Sequence, residues 1–297
     1  MKIVDLHEDI GYFSMLGNDL INGSFQSDFN KLRKVGEPLI FSAIFPAIKN
    51  MNKLEMDFHC ILKQAKYLYK LEKEGLVKLV RKKSDLNEGN PIKFLISLEG
   101  TDPLTDPSDI IMLKEMGIRA IGLTWNYSNK FSSSCMSRKD YGLTDEGEEL
   151  IRLANELGII IDLAHASKQT TIDVANLSKK PVIVSHTAYR RLKNHRRNLD
   201  DDEIEAVIKT NGVVGIMVWD KVLPEATLEG YLKVINELGE TYGWDYISIG
   251  TDFLGIESPA KGLENILSLG KIAEPLKENA EKVLWKNAFR VINQVID

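Results

Sequence analysis

Cysteine, histidine and long apolar runs are scarce in this chain of 297 residues, and each scarcity narrows what the protein can be. Two cysteines, Cys60 and Cys135, do not staple a chain of this size, so two reduced thiols and a cytoplasmic location are expected. No apolar stretch approaches the roughly 18 to 20 residues that a bilayer-spanning helix needs. Even IFSAIFPAI stops at Lys49. The opening MKIVDLHEDIGYF has no basic segment, long apolar segment or small-residue cleavage site, so no export is expected. Surplus positive charge is missing as well. The net charge is −5 and the isoelectric point is near 5.7, the wrong sign for neutralising phosphates, so neither nucleic acid nor membrane is an expected partner.

What is present is an alternation. A chain that is 43% hydrophobic and 27% charged has the composition of an ordinary globular protein. Short β-branched apolar runs occur at 3–6, 39–45, 92–98, 118–123, 159–163, 182–184, 213–218 and 246–249. Between them lie amphipathic stretches at 53–73, 109–116, 145–157, 168–177, 200–210 and 227–242. Eight runs alternating with helices, without a linker or a break in composition, predict an α/β protein, a (β/α)8 TIM barrel in one domain over residues 1–297. The tail 276–296 has the apolar period of a closing helix packed on the barrel wall. The longest irregular segment, 126–142, is expected to be a loop over one end of the barrel that shapes the substrate site.

The five histidines fall into two classes. His7, His165 and His186 follow apolar runs directly, whereas His59 and His195 do not. His7 and Asp9 are two residues apart, so continued strand geometry points both side chains the same way, toward one cation. His165 and His186 end adjacent runs, and Glu99 and Asp252 end two others. In a parallel barrel these ends gather on one face, the face that carries catalytic residues. Three imidazoles with Asp9 and Glu99 make a mixed N and O donor set that suits zinc better than magnesium or calcium, with two ions sharing a carboxylate and a water. Such a centre holds a hydroxide near neutral pH and polarises a carbonyl, which is hydrolase chemistry. Asp252 is then placed to take the proton from that water and pass it to a leaving amine. The run Arg190, Arg191, Arg196 and Arg197, with His195 inside it, is either a solvated face or a bidentate clamp for a substrate carboxylate.

The ordered motifs DLHEDI, SLEG, GIRAIGLTWN, IIIDLAHAS, PVIVSHTAYRRLKNHRRN, ISIGTDFLGI and KVLWKNAFRVIN run nearly end to end, and together they resemble the membrane dipeptidase (renal dipeptidase) family of zinc peptidases. The resemblance implies that His7 and Asp9 bind one zinc ion, that His165 and His186 bind the other, and that Glu99 bridges them. It also implies that Asp252 is the acid-base residue and that Arg197 meets the substrate carboxylate. A dinuclear zinc dipeptidase is therefore expected, cleaving small peptides through a metal-bridging hydroxide, tolerant of a C-terminal D-residue, and a homodimer if it follows the family. Trp125 stands where the animal enzymes have a histidine, and Leu254 where many relatives have an aspartate. Neither is a metal ligand. Leu254 and the lack of a visible export or anchor signal argue for an intracellular, bacterial-type member. Trp125 and Asn126, at the head of the long loop, are expected at the substrate, with a packed aromatic at the barrel mouth as the alternative for Trp125. Two other functions remain open: an amidase or cyclic-amide hydrolase acting on a non-peptide metabolite, and a ligand-binding pseudoenzyme.

Overall fold

All eight apolar runs are strands, and they close on themselves. In the computed structural model, which describes residues 1–50 and 53–297, the barrel strands are β1 (Lys2–Glu8), β2 (Glu37–Ile44), β3 (Lys93–Glu99) and β4 (Ile118–Gly122). They are followed by β5 (Ile160–Asp162), β6 (Ile183–Thr187), β7 (Val213–Ile216) and β8 (Ile247–Ile249). Every neighbouring pair is parallel, and the ring closes where β1 meets β8 with Asp5 opposite Ile249. Helices fill every crossover, giving the (β/α)8 barrel. None of the described helices is long and apolar enough to cross a membrane.

Local chemistry fixes the helix starts. Thr144, Ser167, Asp200 and Thr227 each accept a backbone N–H from the first turn of the helix they precede, and Gly158 ends helix 145–157 at φ 68°. Asp57 does the same for helix Phe58–Lys73. The amphipathic stretch expected to begin at residue 53 is therefore corrected: Lys53–Met56 pairs antiparallel with Ala47–Asn50. The cap, invisible to a periodicity count, divides the two elements.

Strand residues alternate between two cores. Ile3, Ile40, Phe94 and Ile96 face the surrounding helices, while Val4, Leu39, Phe41, Leu95, Ile160, Ile183 and Val213 fill the barrel interior. The interior cluster also takes in Ala288, Val291, Ile292 and Val295 of the terminal helix Asn287–Val295. The tail therefore plugs the N-terminal mouth of the barrel, where the sequence had pointed to its wall, and it arrives through a π-helical turn, Lys282–Lys286. With that end sealed, chemistry is confined to the opposite face. Just below that face, a Cβ at Gly215 or Gly250 would lie 2.1 Å or 1.6 Å from the Ser185 carbonyl oxygen. Only glycine permits the close approach that presents His186 beside β7 and β8.

Candidate functional site

The strand ends converge as their order in the barrel requires. Glu99, from β3, lies between the others: its Oε1 is 3.0 Å from His165 Nε2 and 3.7 Å from His186 Nε2, and its Oε2 is 3.8 Å from His7 Nε2. His7 Nε2 is 3.6 Å from Asp9 Oδ2, and Asp252 completes a group in which the ligand atoms of His7, Asp9 and Asp252 lie within 4.8 Å of one another. His165 Nε2 and His186 Nε2 are 3.1 Å apart.

Hydrogen bonds set the imidazole orientations. His165 Nδ1 donates to Asn126 Oδ1 at 2.9 Å, which leaves a lone pair on Nε2. His186 Nδ1 shares a 2.8 Å hydrogen bond with the Ser185 hydroxyl, and its Nε2 likewise faces inward. Burial first, and then the neighbouring positive charges, push both imidazoles well below their ordinary pKa, so both are neutral at pH 7. Neutral imidazole nitrogens meeting carboxylate oxygens at these distances want a cation between them. The buried His7 Nε2, which has no hydrogen-bond partner in the protein, marks a second such place. The donor set fits divalent zinc, and the two oxygens of Glu99 point to different groups.

Backbone strain is concentrated here. His165 and Asp252 adopt the left-handed region at φ 66° and 63°, which costs a non-glycine residue about 1–3 kcal/mol. The surroundings hold them there. The His165 carbonyl accepts from Cys135 N–H and the Thr124 hydroxyl, and Asp252 N–H donates to the His7 carbonyl.

Protons compete for the cluster. Burial, reinforced by neighbouring carboxylates, raises Glu99 to about 8 and Asp252 to about 7. Burial disfavours protonated His7, but Glu99, Asp9 and Asp252 together lift it to about 10. Above pH 6.5, where unfolded His165 and His186 are losing the protons that their folded forms do not hold, the metal-free folded protein still binds more protons than the unfolded chain, at Glu99, Asp252 and His7. Its stability is expected to fall between pH 6.5 and 9, by on the order of 1 kcal/mol per pH unit for each extra proton. Added zinc, which displaces those protons, is expected to raise the melting temperature more at pH 8 than at pH 6.5. Thermal melts with and without zinc check this; a flat metal-free profile would contradict it.

The cluster opens into a cavity of about 640 Å³, lined by Asp9, Glu99, His165, Asp252, Trp125, Asn126 and Arg197 among others. Every residue expected at the site is on this wall or, like His7 and His186, buried beneath it. The arginine run divides. Arg197 is buried and donates from Nη2 to the His186 carbonyl at 3.0 Å, while Arg191 pairs outward with Asp201 and Arg190 bonds the Asn198 carbonyl. Exposed His59, on helix Phe58–Lys73, is not among the residues that line the cavity or form the cluster. The loop over 126–142 is packed rather than loose, with Ser133 and Ser134 buried.

Four contributors were not legible in the sequence. Asp162 is buried with a carboxylate oxygen within 4.8 Å of imidazole nitrogens of His7 and His186, and its Oδ1 accepts Ala164 N–H and Ser185 N–H. It braces the ends of β5 and β6. Tyr12, Phe45 and Trp219 line the cavity without adjoining any motif that signalled chemistry. Asp162 had one available clue, a carboxylate at a buried strand end three residues before His165.

The sequence profile of the membrane dipeptidases, peptidase family M19, matches residues 1–297. The chain belongs to this family. Among curated relatives, dipeptidase tcpJ of Claviceps purpurea is 28% identical over 216 residues, 68% of this chain but only 51% of the fungal protein. The chain thus spans about half of that relative. An uncharacterized dipeptidase of Schizosaccharomyces pombe is 28% identical across 98% of this chain and 79% of its own length. Among solved structures, a Rhodobacter sphaeroides metallopeptidase bound to a phosphinate mimic of L-Ala-D-Ala superposes with a TM-score of 0.85 over 99% of both chains. At 19% identity that likeness speaks for the fold.

Proposed function

We propose that the protein is a zinc-dependent dipeptidase that hydrolyses short peptides with a free C-terminal carboxylate, those ending in a D-residue included. The observation that carries the reading is Glu99, whose two carboxylate oxygens face His7 on one side and His165 and His186 on the other. Family membership and relatives described as dipeptidases support it, and the phosphinate-bound Rhodobacter enzyme supports the L–D substrate class.

In this reading His7 and Asp9 hold one zinc ion, His165 and His186 hold a second, and Glu99 serves both. When bound, the ions supply an activated water and polarise the scissile carbonyl. The remaining work belongs to side chains. Arg197, fixed through Nη2 to the His186 carbonyl, offers its other N–H groups as a fork for the substrate carboxylate and so sets the register of the peptide. Asp252, on the cavity wall beside His7 and Asp9, takes a proton on a carboxylate oxygen and returns it to the leaving amine. Asn126 orients His165 through the Nδ1 hydrogen bond and borders the substrate cavity.

The test is release of free amino acids from L-L and L-D dipeptides by zinc-loaded protein, beside His186→Ala and chelator-treated samples. Cleavage by the wild type with silence in both controls is expected. Zinc binding without cleavage of any dipeptide would move the reading to another amide or to a protein that only binds.

A further inference from the structure

The cavity has two unlike halves. On the side of β1, β2 and β4, three rings form an arc: Tyr12 meets Phe45 edge to face at 5.1 Å, and Phe45 lies tilted against Trp125 at 5.0 Å between centroids. All three line the cavity. On the side of β6 and β7 stand Arg197 and the His195–Trp219 pair, 5.7 Å apart. The cluster around Glu99 lies between the halves.

The arc is built to stay in place. The buried Gln64 side chain clamps the Phe45 backbone at both ends, accepting its N–H at 3.1 Å and donating to its carbonyl at 2.7 Å. The Trp125 carbonyl accepts the Ser134 hydroxyl at 2.6 Å. A fixed aromatic surface loses little conformational freedom on binding, so an apolar side chain laid against it keeps most of its contact energy.

We propose that the Tyr12–Phe45–Trp125 arc is the subsite for the residue on the N-terminal side of the scissile bond, and that it selects dipeptides whose N-terminal side chain is aromatic or large and apolar. This rests on the dipeptidase reading, which puts the substrate carboxylate at Arg197. With the scissile carbonyl at the Glu99 cluster, the other residue of a dipeptide extends away from Arg197, toward the rings. Trp125 acts there as a specificity-determining surface.

The experiment measures binding of two phosphinate dipeptide mimics, Phe–D-Ala and Ala–D-Ala, to zinc-loaded protein by calorimetry, together with kcat/KM for the matching dipeptides. The wild type is expected to favour the Phe mimic by about 30-fold or more, within the range that apolar pockets discriminate. Trp125→Ala is expected to reduce that ratio to about threefold. Phe45→Leu, which keeps apolar volume, narrows it in part and covers the case in which the first variant does not fold. A purely structural role would weaken both mimics in step and leave the ratio intact, which overturns the proposal. Equal affinities in the wild type overturn the subsite alone. A preserved Phe preference with no dipeptide cleaved overturns the dipeptidase reading while supporting the arc. Failure of both mimics to bind overturns both.

Discussion

Glu99→Gln is expected to lower kcat/KM for a cleaved dipeptide by about a thousandfold or more, the several kcal/mol that a metal centre supplies. Zinc content is expected to drop with it, from about two ions per chain to one or none. The substitution keeps the shape of the side chain and removes the charge that three imidazoles face. It also sets an amide NH2 against nitrogens that present lone pairs. The fold is expected to tolerate the change, because burial already opposes the charged carboxyl and holds it at about 8. Metal analysis with thermal melts at pH 8 separates the outcomes: a variant that melts like the metal-free wild type but holds no zinc supports the assignment. Two ions retained with activity within tenfold of the wild type would remove Glu99 from the centre.

Asp252→Asn is expected to act on the reaction and spare the metal. Loss of a positioned acid-base group costs about 10²- to 10⁴-fold in kcat. The loss is expected in kcat more than in KM, since in the proposed reading Arg197, and not Asp252, holds the substrate carboxylate. The pH profile carries the sharper signature: a limb that belongs to Asp252 in the wild type is expected to vanish in the variant. An unchanged profile with a modest rate loss would make Asp252 a brace for the His7 backbone, to which its N–H already donates.

The strands were legible because each apolar run is buried on both faces, and the helix starts because Thr144, Ser167, Asp200 and Thr227 are capping residues at the head of periodic stretches. The histidine, aspartate and glutamate ligand candidates were legible for a geometric reason: parallel strands in a closed ring end on one face. What escaped notice depends on distance in the sequence. Phe45 and Trp125 are eighty residues apart and meet only because β2 and β4 flank β3. The tail's destination was hidden because the apolar period of 283–295 is the same whether it covers a wall or a mouth. The positive φ of His165 was equally hidden, since nothing in IDLAHAS marks a residue that departs from extended geometry.

The seam between β1 and β8 has a temporal consequence. Asp5 accepts the N–H and hydroxyl of Thr251 and lies opposite Ile249, and Asp9 N–H donates to the Phe253 carbonyl. The first and last strands of the barrel thus meet beside the cluster, and His7 and Asp9 join Asp252 only when they do. During synthesis, at about 5–20 residues per second, His7 and Asp9 wait many seconds for Asp252 to leave the ribosome. A nascent chain displaying His7 and Asp9 alone offers a cation two donors and little affinity. The cluster is therefore complete only when the ring closes, and a chain cut short before residue 250 lacks the Asp252 carboxylate that faces His7 and Asp9.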